Sequence, residues 1–174
     1  NNDMDFAGFA WDVLKKEHRL LYIQSYMAFN LVNYPNFADP IINANFGTMS
    51  GMGDRSTDGN ILHSAAVYQD KFGPVNFFIV GGWSQTQPDY SGLLNDYAGM
   101  QMGTAGANTD NEDGYSIYIG ARYDIDAIGL KLGAEYNWGS ENWISMTPGH
   151  DEIYQSKLAT RGSVFEIYGI YDLP

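Results

Sequence analysis

Residues 115–126, YSIYIGARYDID, alternate without a break between two kinds of side chain. Tyr115, Ile117, Ile119, Ala121, Tyr123 and Ile125 take the odd positions; Ser116, Tyr118, Gly120, Arg122, Asp124 and Asp126 take the even ones. A period of two sorts these onto opposite faces of a β-strand, whereas a helix would scatter the six apolar side chains around its circumference. Residues 128–139 repeat the pattern in the other parity. There Ile128, Leu130, Leu132, Ala134, Tyr136 and Trp138 alternate with Gly129, Lys131, Gly133, Glu135, Asn137 and Gly139. The chain reverses around Asp126-Ala127-Ile128-Gly129, which predicts a tight hairpin. Each arm is ~11 residues long, matching the ~9–11 that a tilted strand needs to cross a bilayer and about twice the soluble mean of ~5–6.

The same unit recurs along the chain. Strands are predicted near 5–14 and 19–32, joined by Lys15-Lys16-Glu17-His18, and near 61–70 and 75–85, joined by Lys71-Phe72-Gly73-Pro74. Residues 61–70 alternate least well, because His63 and Gln69 interrupt one face. A seventh strand, 163–173, sets Phe165, Ile167, Tyr171 and Leu173 on one side. Between the hairpins lie 33–59, 87–113 and 140–162, rich in Gly, Asn, Asp, Ser and Pro, the punctuation of loops. Short helices are expected inside two of them, at 91–103 and 151–160. Loops beyond ~12–15 residues are unusual in compact soluble domains unless they are functional. Short turns alternating with long loops is the plan of up-and-down outer-membrane barrels.

Charge follows this division. The 174 residues carry 9 Lys+Arg against 21 Asp+Glu, a formal net charge of −12. With no basic surplus to displace phosphate counterions, a nucleic-acid partner is excluded. The loops 33–59, 87–113 and 140–162 carry −2, −5 and −1, two-thirds of the net charge. An acidic mouth favours cations. In the two cleanest strands Arg122, Asp124, Asp126, Lys131 and Glu135 all lie opposite the apolar stripe, where a Lys or Arg facing lipid would cost ~2–4 kcal/mol. Tyr115, Tyr123, Tyr136 and Trp138 bracket that stripe as interfacial aromatics do. Alternation alone does not distinguish this arrangement from a soluble antiparallel sheet with its apolar face inward.

Signals for other chemistry are weak. The absence of Cys excludes disulfides and thiolate chemistry. Asp54, Ser56 and Asp58 echo a calcium loop, but Ala65 stands where the bidentate Glu belongs, so a polar turn is the default and no metal site is assigned. Asp110-Asn111-Glu112-Asp113-Gly114 is oxygen-rich and reads as a solvated loop entering a strand. His18, His63 and His150 have no metal-ligand spacing. Met49, Met52, Met100, Met102 and Met146 cluster in loops as packing plasticity. No catalytic residue, enzyme activity or cofactor is expected.

The segments LGAEYNWGSENWISM at 132–146 and YQSKLATRGSVFEIYGIYDLP at 154–174 resemble a family of uncharacterised proteins assigned as outer-membrane porins of Gram-negative bacteria, and YSIYIGARYD before them fits the same picture. The resemblance implies a β-barrel in the outer membrane and says little about substrate; no residue roles come with it.

The expected fold is therefore all-β: an antiparallel up-and-down transmembrane barrel, of which residues 1–174 supply about seven strands. Seven is odd where single-chain bacterial barrels are even, and neither end reads as a natural terminus, so a partial barrel is expected. Its unpaired edges at 5–14 and 163–173 would invite self-association. The expected function is porin-like passive diffusion of small solutes or ions, leaning toward cations, in the outer membrane of a Gram-negative bacterium. Outer-membrane lipid is the expected surrounding, and Arg122, Asp124, Lys131, Glu135 and Glu166 the expected pore lining. The alternatives are a non-transporting adhesin or scaffold, and a soluble β-sandwich or lipocalin-like binder that would bury Ile117, Ile119, Leu130 and Leu132 in a protein core.

Overall fold

The computed structural model describes residues 4–32, 57–88, 110–146 and 159–173. Seven strands occupy them: β1 Asp5–Lys15, β2 Leu20–Val32, β3 Thr57–Phe72, β4 Val75–Pro88, β5 Glu112–Ile125, β6 Leu130–Gly139 and β7 Gly162–Tyr171. They form a single open antiparallel sheet in sequence order, β1 to β7, each strand bonded to its chain neighbours. No α-helix occurs among the described residues.

The short turns lie where the sequence puts them. Lys16 N donates to Arg19 O at 2.8 Å between β1 and β2. β3 and β4 are joined by Gly73-Pro74 alone, with Gly73 at φ +57°, a left-handed conformation that a Cβ disfavours. Between β5 and β6, Asp126–Ile128 form a single 3-10 turn closed by Gly129 at φ +64°, so β6 begins at Leu130, two residues later than the alternation suggests. The strand with the weakest pattern, expected over 61–70, is the longest at 16 residues. The helix expected over 91–103, and residues 151–158 of the other, lie outside the described residues.

By compactness the chain divides into two units. The first comprises 1–7, 27–62 and 85–112. In it Ala28 and Ile61 are buried, and so is Thr86, whose hydroxyl meets Glu112 O at 3.5 Å. The second, 8–26, 63–84 and 113–174, contains the full β6–β7 pairing and most of the β5–β6 ladder.

Within the second unit the register sorts the two faces. Ile117 faces Trp138, Ile119 faces Tyr136, Ala121 faces Ala134 and Tyr123 faces Leu132; across the next ladder Ala134 faces Ile167 and Tyr136 faces Phe165. All of these stand on one face. The other carries Ser116, Tyr118, Gly120, Arg122 and Asp124 against Gly139, Asn137, Glu135, Gly133 and Lys131.

Burial differs between the two faces. Ile117, Ile119 and Leu132 are exposed at 37%, 39% and 47%, with Phe165 and Ile167 more so, while Leu130 is half-buried. The covered side chains are mostly polar: His63, Asp70, Ser84, Thr86 and Asn137 are all below 9% exposed. Ala28, Ile61 and Trp143 are the only buried apolar side chains among the described residues.

Candidate functional site

The polar face of β4–β7 is layered along the strands. Nearest the short turns, Arg122 Nε donates to Asp124 Oδ1 at 2.7 Å, and Asn76 Nδ2 from β4 donates to Asp124 Oδ2 at 2.7 Å. The backbone supports this, with Asp124 N donating to Pro74 O at 2.9 Å. Lys131 sits opposite Asp124 in register, yet its ammonium pairs with Asp172 at 2.7 Å beyond the end of β7. This layer is charge-compensated.

The middle layer is acidic. Glu135 on β6 faces Glu166 on β7 directly, which sets two carboxylates side by side on one face. Tyr118 Oη from β5 donates to Glu135 Oε2, and the Tyr168 hydroxyl from β7 bonds the same carboxyl group. The Tyr168 ring and that of Phe78, which packs on Tyr118, lie where a neighbour has no side chain. A Cβ on Gly133 would come within 2.3 Å of the Tyr168 ring, and one on Gly120 within 2.5 Å of Phe78, itself edge-on to Tyr118 at 4.8 Å. Gly120 and Gly133 thus make room for the rings of Phe78 and Tyr168 on the covered face.

Toward the long connections the face becomes aromatic. His63 on β3 is 3% exposed and stacks on Tyr26 of β2 at 5.0 Å; the ring of Trp143, from the segment after β6, is tilted against it at 5.2 Å. Neither ring nitrogen of His63 has a hydrogen-bond partner. A buried polar group left unpaired costs about 1–3 kcal/mol. His63→Phe keeps a flat ring between Tyr26 and Trp143 and removes both orphaned nitrogens. It should raise stability by about 1 kcal/mol, whereas His63→Ala should lower it by about 2 kcal/mol through the lost ring contacts. Denaturant midpoints of the three proteins in one detergent check this.

All five residues expected to line a pore, Arg122, Asp124, Lys131, Glu135 and Glu166, therefore share one face of β5–β7. The structure divides them into a neutralised outer group and an acidic inner pair. Tyr118, Tyr168 and Asn76 bind these charged groups without having been singled out in the sequence, because only the strand register brings them together. Asp54, Ser56 and the Asp58 side chain lie outside the described residues. Among the described residues no three His, Asp or Glu side chains converge as metal ligands.

These features define an all-β protein with one antiparallel sheet, covered on its polar face and bare on its apolar one. The chain belongs to the family described as "Protein of unknown function (DUF3373)", which it matches over residues 1–174. No curated protein and no solved structure matches it.

Proposed function

We propose that this chain forms part of an outer-membrane β-barrel through which small solutes or ions pass by diffusion, cations more readily than anions. The observation that carries the proposal is the inverted burial of β5–β7, with an exposed apolar face and a covered polar one. In water an apolar face of this kind would gain about 25 cal/mol for every Å² it buried. Facing lipid, it is already in an apolar medium and has nothing to gain from a second layer.

The dimensions agree. On the exposed face Tyr115 and Tyr123 bracket Ile117, Ile119 and Ala121. Eight residue steps at ~3.3 Å each span ~26 Å along the strand, which at a tilt of ~35–45° covers ~19–22 Å of the ~25 Å apolar band, flanked by aromatic girdles, of outer-membrane barrels. On β6 Trp138 faces Ile117, one pair inside the level of Tyr115, and Tyr136 faces Ile119 at mid-stripe, while Tyr171 on β7 faces Leu130 near the level of Tyr123. A sheet whose strands follow one another in sequence order is also what an up-and-down barrel requires.

Selectivity follows from the polar face. Its outer charges lie in opposite-sign pairs, while Glu135 and Glu166 set two carboxylates side by side at mid-height, which favours cations over anions.

The test is electrical. The full-length protein, purified in detergent and added to a planar bilayer, should produce discrete conductance steps with a cation-leaning reversal potential. A protein that is folded by circular dichroism and inserted in the bilayer, yet gives no steps, overturns the reading and leaves a non-transporting scaffold.

A further inference from the structure

The segment that leaves β6, residues 140–146, turns back over the polar face instead of departing from the sheet. Ser140 N donates to Tyr115 O at 2.8 Å and Ser140 Oγ accepts from Tyr115 N at 2.8 Å, so its first residue prolongs the β5–β6 ladder. Trp143 N then donates to Ser140 O at 3.2 Å, closing a turn. Ile144 N donates to Ser84 Oγ on β4 at 3.1 Å, and Arg161 Nε reaches Trp143 O at 3.1 Å from the β7 side. The segment has crossed from β6 to β4 and is tied at both margins.

Two further observations show that the sheet is built to receive it. The Trp143 side chain is one of the few covered apolar groups, and it lies against His63, a covered polar ring with no hydrogen bond of its own. Three strands also offer glycine at the crossing. A Cβ on Gly82 would lie 2.4 Å from Trp143 Cη2, and one on Gly114 would lie 2.3 Å from Asn142 O. One on Gly139 would lie 3.0 Å from Trp143 Cδ1 and 2.0 Å from Thr160 O. All of these residues belong to the second compact unit.

We propose that residues 140–146 form the constriction of the diffusion pathway, a strap across the polar face of β4–β6 anchored by Trp143 that sets the size of solute able to pass. The inference rests on the diffusion reading and goes beyond it. The segment crosses where the β5–β6 ladder ends, beside Gly114 and Gly139, and places an indole and a peptide turn on the face that solutes would have to follow, over the fully covered Ser84.

Two readouts separate the possibilities. Because the chain has no cysteine, Ser84→Cys gives a single thiol beneath the strap, to be labelled with a charged, membrane-impermeant thiol reagent. The full-length protein in bilayers supplies the second readout, single-channel conductance together with the exclusion limit for graded polyethylene glycols. S84C should label slowly, and S84C/W143A about tenfold faster or more. Trp143→Ala should raise conductance about twofold or more and admit larger polymers. Gly82→Val evicts the indole from the other side without touching Trp143 and should act in the same direction, with unchanged circular dichroism, so misfolding of one variant cannot imitate the result. Fast labelling of S84C with Trp143 in place overturns the strap. Faster labelling in W143A with conductance and exclusion limit unchanged overturns its role as a constriction. A protein whose labelling responds to W143A but that conducts in no variant overturns the diffusion reading itself.

Discussion

Ile119→Arg should destabilise the folded protein by about 2–4 kcal/mol in a bilayer, and Tyr123→Arg by no more than about 1 kcal/mol. The contrast arises from depth. Ile119 lies midway along the apolar stripe and faces Tyr136, whereas Tyr123 lies four residues nearer the short turn, at the level of Leu132. Both side chains are already solvent-accessible in the isolated sheet, at 39% and 49%. If that surface met water, exchanging either for a charged side chain would fall within the roughly ±0.5 kcal/mol typical of surface substitutions. Equilibrium unfolding from lipid vesicles by denaturant measures both variants against the parent. Equal, small effects at the two positions would remove lipid from the apolar face and restore the soluble reading.

Glu135→Lys should lower the cation-to-anion permeability ratio by several-fold to about tenfold in 0.1 M salt, with a smaller change in 1 M salt. An ion passing about 7 Å from a fixed charge in water feels about 0.6 kcal/mol. Replacing a carboxylate by an ammonium changes the local charge by two units and acts in opposite senses on cations and anions, and screening by salt removes part of the effect. The new ammonium would sit opposite Glu166 and cancel it, so the acidic layer becomes neutral. Glu135→Gln should give about half of that shift in free energy, keeping the acceptor for the Tyr118 hydroxyl while removing the charge. Arg122→Gln should matter less than either. Its guanidinium is already held by Asp124 at 2.7 Å, and its loss frees a carboxylate that makes the pathway more acidic. Reversal potentials under a salt gradient decide among these outcomes. An unchanged ratio in both Glu135 variants would place that carboxylate outside the path.

Much of the fold was legible from side-chain order. The uninterrupted alternation over 115–126 and 128–139 located two strands, their faces and the turn between them, because a strand maps sequence parity directly onto side. The turn at Asp126–Gly129 was readable for a similar reason, since a glycine at the end of a reversal marks the left-handed position that Gly129 occupies. β3 was harder to bound. His63 and Gln69 break its pattern, and the cause is tertiary: His63 is covered by rings from Tyr26 and Trp143, 37 positions before it and 80 after it. No local pattern encodes such a stack. The pairing of Glu135 with Glu166, and the grip of Tyr118 and Tyr168 on the former, are likewise consequences of register.

The amino-acid order by itself determined that this chain makes long antiparallel strands with one apolar and one polar face, and that in the two cleanest, 115–126 and 128–139, the charged side chains fall on the polar one. It could not determine which face is covered. Alternation with a period of two separates side chains into two sets, but it is unchanged when inside and outside are exchanged. The tertiary structure decided that question. Glycines at 82, 114, 120, 133 and 139 let rings and the 140–146 segment close over the polar face, while Ile117, Ile119 and Leu132 are left bare. The physical reason is steric: at those five positions a Cβ would collide with the group that lies there, a contact that the alternation along a single strand does not record.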